Sequence, residues 1–249
     1  NYNQTIGALS GAGTTALGSA NLTVGSNNSS TSYTGAMTGT GGLTKVGSGT
    51  MTVGSLAFTG STNVNAGTLA LTSGSSIASA INVANAANFN NAGTTNGIVK
   101  NSCGGTVNNS GVMANSVNNS GTLTNTGIIN GALANNSNCG TVNNTIGTLA
   151  GAVSNSGTLN NSVGGAISGS LTNNAGGVTT NNGQITNTVS NSGTFTNSVG
   201  GTITGATTNA QNGQFTNNGD IAANVINNGV FTNASGAGIG GTFLNGVAG

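Results

Sequence analysis

Residues 105–125 read GTVNNSGVMANSVNNSGTLTN, and this stretch decides the fold. It opens on the phrase Gly-x-apolar-x-Asn and closes on the same phrase sixteen residues later. GTVNN at 105–109 and GTLTN at 121–125 are followed by GTVNN at 140–144 and GTLNN at 157–161. A degenerate copy, GVTTN, sits at 177–181. Then come GTFTN at 193–197, GQFTN at 213–217, GVFTN at 229–233 and GTFLN at 241–245. From Gly105 to Gly229 the successive spacings are 16, 19, 17, 20, 16, 20 and 16 residues. A fixed period of this size marks a repeat architecture in which each unit buries its apolar face on its neighbours.

A period near 18 suits one coil of a β-solenoid with three short faces. Each coil should then turn about three apolar residues inward. The sets assigned on this basis are Leu123, Ile129 and Leu133; Val142, Leu149 and Val153; Leu159, Ile167 and Leu171; Val178, Ile185 and Val189; Phe195 and Ile203; and Phe215, Ile221 and Val225. A helix is a poor alternative, because Gly, Asn, Ser and Thr are weak helix formers and no 3.6-residue stripe persists. The fold class read from the pattern is all-β, a parallel β-helix with coils of about 16–20 residues. The asparagine that ends each phrase, at Asn109, Asn125, Asn144, Asn161, Asn181, Asn197, Asn217 and Asn233, falls where side-chain amides can stack in a ladder from coil to coil.

Upstream, short alternating runs such as Leu22-Thr23-Val24 and Met51-Thr52-Val53 are separated by Gly/Ser/Thr turns. Composition changes near residue 85. We divide the chain into a Thr/Ser/Gly-rich segment, 1–84, and an Asn-rich segment, 85–249, expected to form one continuous rod. The chain begins Asn1-Tyr2-Asn3 without a signal-peptide pattern, as expected of a mature form whose leader has been removed.

The chain of 249 residues carries three charges, Lys45, Lys100 and Asp220, and has no histidine. That scarcity excludes a Ser-His-Asp arrangement, a paired-carboxylate site and a His/Asp metal cluster. No enzyme activity and no cofactor are expected. Two lysines cannot neutralise the phosphates that nucleic-acid binding requires. No apolar run is long enough to span a membrane as a helix. Lys45 and Lys100 read as solvated tips, and Asp220 as a corner residue.

The segment Tyr33 to Leu71 contains GGLTKVGSGTMTV at 41–53 and FTGSTNVNAGTLAL at 58–71. These motifs resemble the repeat of autotransporter passenger domains, found on bacterial surface proteins. The resemblance implies a right-handed parallel β-helix, secretion, and display outside the cell or at the bacterial surface. Members of that family ordinarily end in an outer-membrane β-barrel with aromatic girdles. Six Phe and two Tyr do not supply that pattern here.

Cys103 and Cys139 lie 36 residues, or two coils, apart. Two coils span roughly 9.6 Å, beyond the roughly 7 Å between Cα atoms that a disulfide tolerates. A bridge therefore needs a bulge, a 36-residue coil or a second subunit. The alternative is two unbonded small residues.

The leading functional expectation is a structural protein that assembles end to end into an extracellular or biofilm-matrix fibre. Its assembly ends would be Asn1, Tyr2 and Ile6 on one side and Phe243 and Leu244 on the other, because open coils pair by β-augmentation. The partner would be a second copy of the chain. The alternative is the stalk or binding rod of a surface adhesin, with surface glycans or host or abiotic surfaces as partners. Functional amyloid is a third class.

Overall fold

The computed structural model describes residues 2–136 and 139–246. Among them there is no helix; every regular element is a strand of two to five residues. Strands pair in parallel with the equivalent strand one coil later, so the fold is a parallel β-solenoid. The chain divides into two compact units, Asn1–Leu123 and Thr124–Gly249.

In the second unit every coil has the same three faces. The first face is built from Leu133–Asn135, Val153–Asn155, Leu171–Asn173, Val189–Asn191, Thr207–Asn209, Val225–Asn227 and Phe243–Asn245. The second face carries the Gly-x-apolar-x-Asn phrase, from Thr141–Asn144 to Val230–Asn233. The third is a row of two-residue strands, from Ile128–Ile129 to Gly238–Ile239. Short strands suit a chain whose apolar residues come singly, because a third of a coil needs only one inward side chain per strand.

The register stacks like on like. On the third face Leu149, Ile167, Ile185, Ile203 and Ile221 lie one above another. On the second face Phe195 and Phe215 stack with ring centroids 4.6 Å apart and planes 8° from parallel, and Phe231 continues the stack at 5.1 Å. Branched aliphatic and aromatic side chains pack well across neighbouring strands, so each row is a strip of continuous core.

One inward assignment is corrected, and one coil gains a third inward residue. Val178 is 43% exposed, and Thr179 takes its place in the core. In GVTTN the third slot of the phrase is Thr179, and register with Leu159 and Phe195 fixes that slot inward. A threonine is held there because its hydroxyl is satisfied. It donates to Asn173 Oδ1 at 2.9 Å and accepts from Asn155 Nδ2 at 3.1 Å. In the coil of Phe195 and Ile203, the third inward residue is Thr207.

In the first unit the corresponding strands run from Gln4–Ile6 to Val117–Asn119. Its third face begins as the two-strand pair Thr15–Gly18 and Met37–Gly39, and single bridges from Met37 to Leu56 to Ile77 carry the stack onward. The stretch 41–71 supplies buried Leu43, Met51, Val53, Leu56, Phe58, Val64, Leu69 and Leu71, which fill this part of the core.

Candidate functional site

No group of three or more His, Cys, Asp or Glu residues lies together among the described residues. The organised polar chemistry is instead a set of asparagines, buried along most of their length and exposed at Asn233 and Asn245. In the second unit they form two ladders. One runs Asn125, Asn144, Asn161, Asn181, Asn197, Asn217, Asn233 along the ends of the second-face strands. Each Nδ2 donates to the next Oδ1 at 2.7–2.9 Å. The other runs Asn135, Asn155, Asn173, Asn191, Asn209, Asn227, Asn245 along the first face, with bonds of 2.7–2.8 Å. The first unit holds one rung of each kind: Asn91 to Asn109 at 2.7 Å and Asn101 to Asn119 at 2.8 Å.

The corners explain how asparagine serves. Each ladder residue closes a strand where the chain turns through a glycine corner. Asn173 Nδ2 donates to Gly177 O of its own corner at 3.1 Å, to Thr194 O at 3.0 Å and to Asn191 Oδ1 at 2.8 Å. One amide thus satisfies carbonyls of two coils while completing the ladder. A Cβ on Gly177 would lie 2.7 Å from Asn173 Oδ1 and 2.5 Å from Asn155 O, so the corner must be glycine. Gly164 and Gly200 stand at φ +85° and +83° in the longer corners, a region glycine enters without strain.

The ladders have a direction. In every rung the residue earlier in sequence donates and the later one accepts. The corner carbonyls enforce it, since a reversed amide would point its oxygen at other oxygens. A directed ladder must begin with an acceptor that receives nothing. Asn91 Oδ1 and Asn101 Oδ1 are those acceptors, buried and without a partner among the described residues. The residues facing them on the preceding coil are Leu71 and Val83, whose side chains have no N–H to offer.

Lys45 stands at a ladder position of the first unit, between Val24 and Val64. It is 1% exposed, which corrects the expectation of a solvated tip. Its ammonium donates to Val46 O at 2.8 Å, Gly47 O at 2.9 Å and Ala66 O at 3.1 Å, filling all three N–H positions. It does for its own and the next corner what a ladder asparagine does elsewhere. Burial pushes its pKa below the ordinary lysine value. Lys100 and Asp220 are exposed.

The sequence-expected ladder residues Asn125 to Asn233 are thus brought together, as is Asn109 with Asn91. The first-face ladder was missed by sequence reading. Its signal is the three-residue phrase apolar-x-Asn, as in Leu133-Ala134-Asn135 and Val153-Ser154-Asn155. Cys103 and Cys139 carry no free thiol. Of the residues read as assembly ends, Asn1 lies outside the described residues. Tyr2 is 86% exposed and lines a cleft of about 260 Å³ with Gln4, Leu17 and Leu22. Ile6 is half-buried. On the last coil Phe243 is 43% and Leu244 58% exposed, and the Phe243 ring meets Phe231 edge-on at 5.1 Å.

No protein-family model matches the chain, and no solved structure matches it significantly. Over 75 residues it is 44% identical to the Adhesin BmaC autotransporter of Brucella suis biovar 1 (strain 1330). That match covers 27% of this chain and 2% of the length of that protein. Among the described residues no helix is long and apolar enough to cross a membrane.

Proposed function

We propose that this chain is a non-enzymatic, coil-stacked segment of the exported passenger of a bacterial surface adhesin, serving as a spacer that holds other parts of the protein away from the cell. The observation that supports it best is the in-register repetition of apolar rows and amide ladders, which gives each added coil the same neighbours as the last. Such a fold extends by adding coils rather than by forming a pocket around a reacting centre. The partial likeness to an autotransporter adhesin agrees with it. The test is display. An epitope placed in the corner at Gly200 of the chain within its parent protein should be labelled by antibody on intact bacteria. Signal only after lysis overturns the reading.

End-to-end assembly into an extracellular fibre is the second reading. The exposed Phe243 and Leu244 on the last coil favour it. Electron microscopy of the purified chain decides: filaments support it, and dispersed particles at high concentration reject it.

A further inference from the structure

Asparagine is chemically labile, and most so before glycine, whose N–H can approach the side chain with no Cβ in the way. The chain holds seven Asn-Gly pairs. In three of them a hydrogen bond occupies the glycine N–H. Gly213 N donates to Ala210 O at 2.9 Å, Gly229 N to Asn227 Oδ1 at 3.1 Å and Gly246 N to Asn227 O at 2.6 Å. In the other four, Gly97, Gly131, Gly183 and Gly219 have no acceptor for this N–H among the described residues. At Gly183 the flanking amides are tied instead: Asn182 N donates to Asn161 O at 2.7 Å and Gln184 N to Gly165 O at 3.0 Å.

Asn182-Gly183 also stands on a solvent-open cleft. On the preceding coil this corner has Ser162, Val163 and Gly164 between Asn161 and Gly165, and on the following coil Ser198, Val199 and Gly200 between Asn197 and Gly201. At Asn182 a single residue separates Asn181 from Gly183, so the corner recedes between two that project. Val163 and Val199 are 78% and 82% exposed, whereas Asn182 is half-buried. The result is a cleft of about 310 Å³ lined by Val163, Gly164, Asn182, Gly183, Gln184 and Thr202. The fold also fixes the glycine, since a Cβ at position 183 would lie 2.3 Å from Gly165 O and 2.5 Å from Ser162 O.

We propose that Asn182 is a self-modification site, at which the chain converts its own side-chain amide to a carboxylate. The Gly183 nitrogen attacks Asn182 Cγ. The new N–Cγ bond closes a five-membered imide, the Gly183 N–H proton passes to solvent base, and the side-chain nitrogen takes a proton from solvent and leaves as ammonia. Water then opens the imide at either carbonyl, giving aspartate or isoaspartate, and nothing is oxidised or reduced. Attack within one dipeptide needs only orientation. The product carboxylate cancels the formal net charge of +1. Isoaspartate also adds one atom to the backbone of the corner and displaces Gly183 O, which accepts from Asn181 Nδ2 at 3.2 Å. The modification thereby reaches the second-face ladder. The inference depends neither on surface display nor on fibre assembly.

The test incubates the full folded chain in heavy-oxygen water at mildly alkaline pH. Peptic peptides are read by mass spectrometry for heavy oxygen at Asn182, Asn212 and Asn228, and the measurement is repeated in urea. We expect label at Asn182 to appear at least fivefold faster than at the other two in the folded chain, and the advantage to fall below twofold in urea. Hydroxylamine, which cleaves the imide, should cut the folded chain between Asn182 and Gly183, and Asn182→Ser should abolish that cut. Serine fills the same slot in the corner at Ser110-Gly111. An advantage below fivefold in the folded chain, one above twofold in urea, or absence of the cut overturns the proposal.

Discussion

Asn161 Nδ2 donates to Asn181 Oδ1 at 2.7 Å, joining residues twenty positions apart on adjacent coils, and both side chains are fully buried. The same amide also reaches Gly165 O and Gln184 O, each at 3.3 Å. One residue type therefore closes its own corner, the next corner and the rung between them. In a low-dielectric interior such a network is strong when complete and expensive when broken.

Breaking it in mid-ladder should be costly. Asn191→Leu removes the acceptor of Asn173 and the donor to Asn209 Oδ1, Gly193 O and Gln214 O. With each orphaned buried group costing about 1–3 kcal/mol, the loss should be roughly 2–4 kcal/mol in urea unfolding. Asn191→Asp, which keeps the shape but cannot donate and adds a charge, should be at least as damaging. A loss below about 1 kcal/mol in both would show that the ladder is not a stabilising element.

Three buried threonines separate two effects. Thr207 Oγ1 and Thr95 Oγ1 have no partner among the described residues, whereas Thr179 Oγ1 bonds to Asn173 and Asn155. Thr207→Val should stabilise by about 1 kcal/mol, because it removes an unsatisfied hydroxyl without changing volume. Thr179→Val should instead destabilise by roughly 1 kcal/mol. Thermal unfolding of the two variants should shift in opposite directions.

Phe215 lies between the rings of Phe195 and Phe231 and is 1% exposed, whereas Phe243 is 43% exposed. Phe215→Ala should cost about 3–5 kcal/mol through the cavity it leaves. Phe243→Ala should cost well under half of that, because its site is already open to water. Equal effects in chemical denaturation would contradict the placement of these rings.

Lys45 makes stability depend on pH. Its folded pKa lies below the ordinary 10.5 because burial disfavours the ammonium. Between the lowered value and 10.5 the unfolded chain binds the proton that the folded chain has released. Stability therefore rises with pH across that window, and the burial penalty is fully present below it. Lys45→Met should flatten this slope, measured by urea unfolding across the alkaline range.

Much of this fold was legible because one phrase repeats with its register intact. Gly, an apolar residue and Asn at fixed slots place a corner, a core position and a ladder rung at once. The assignment of Val178 inward failed because apolar character was followed in place of slot. Position in the phrase outranks residue type when strands are this short. Lys45 also had a readable sign: in Leu43-Thr44-Lys45 the alternation puts the lysine on the same side as Leu43. Its charge outweighed that pattern in the reading. In the structure, three corner carbonyls, one of them contributed by Ala66 of the following coil, hold the ammonium. No sequence rule announces such a cage, because it is assembled by the stacking itself. The first-face ladder escaped although several of its copies, such as GALAN at 131–135 and GSLTN at 169–173, share the spacing of the other phrase; Asn187 and Ala223 replace the glycine in two of them and break the pattern.

The burial of Lys45 has a consequence for digestion. Trypsin-like proteases cut after lysine or arginine, and this chain has two lysines and no arginine. One is sealed inside the core, and Gly25 lies so close above it that a Cβ there would stand 3.5 Å from its Nζ. The other, Lys100, is exposed but sits inside the strand Val99–Asn101, paired with Ile81–Val83 on one side and Val117–Asn119 on the other. Cleavage there requires local opening of paired strands. The folded chain thus offers such an enzyme a single scissile bond, itself held shut, so a sequence poor in charge is also a surface with little for these proteases to grip.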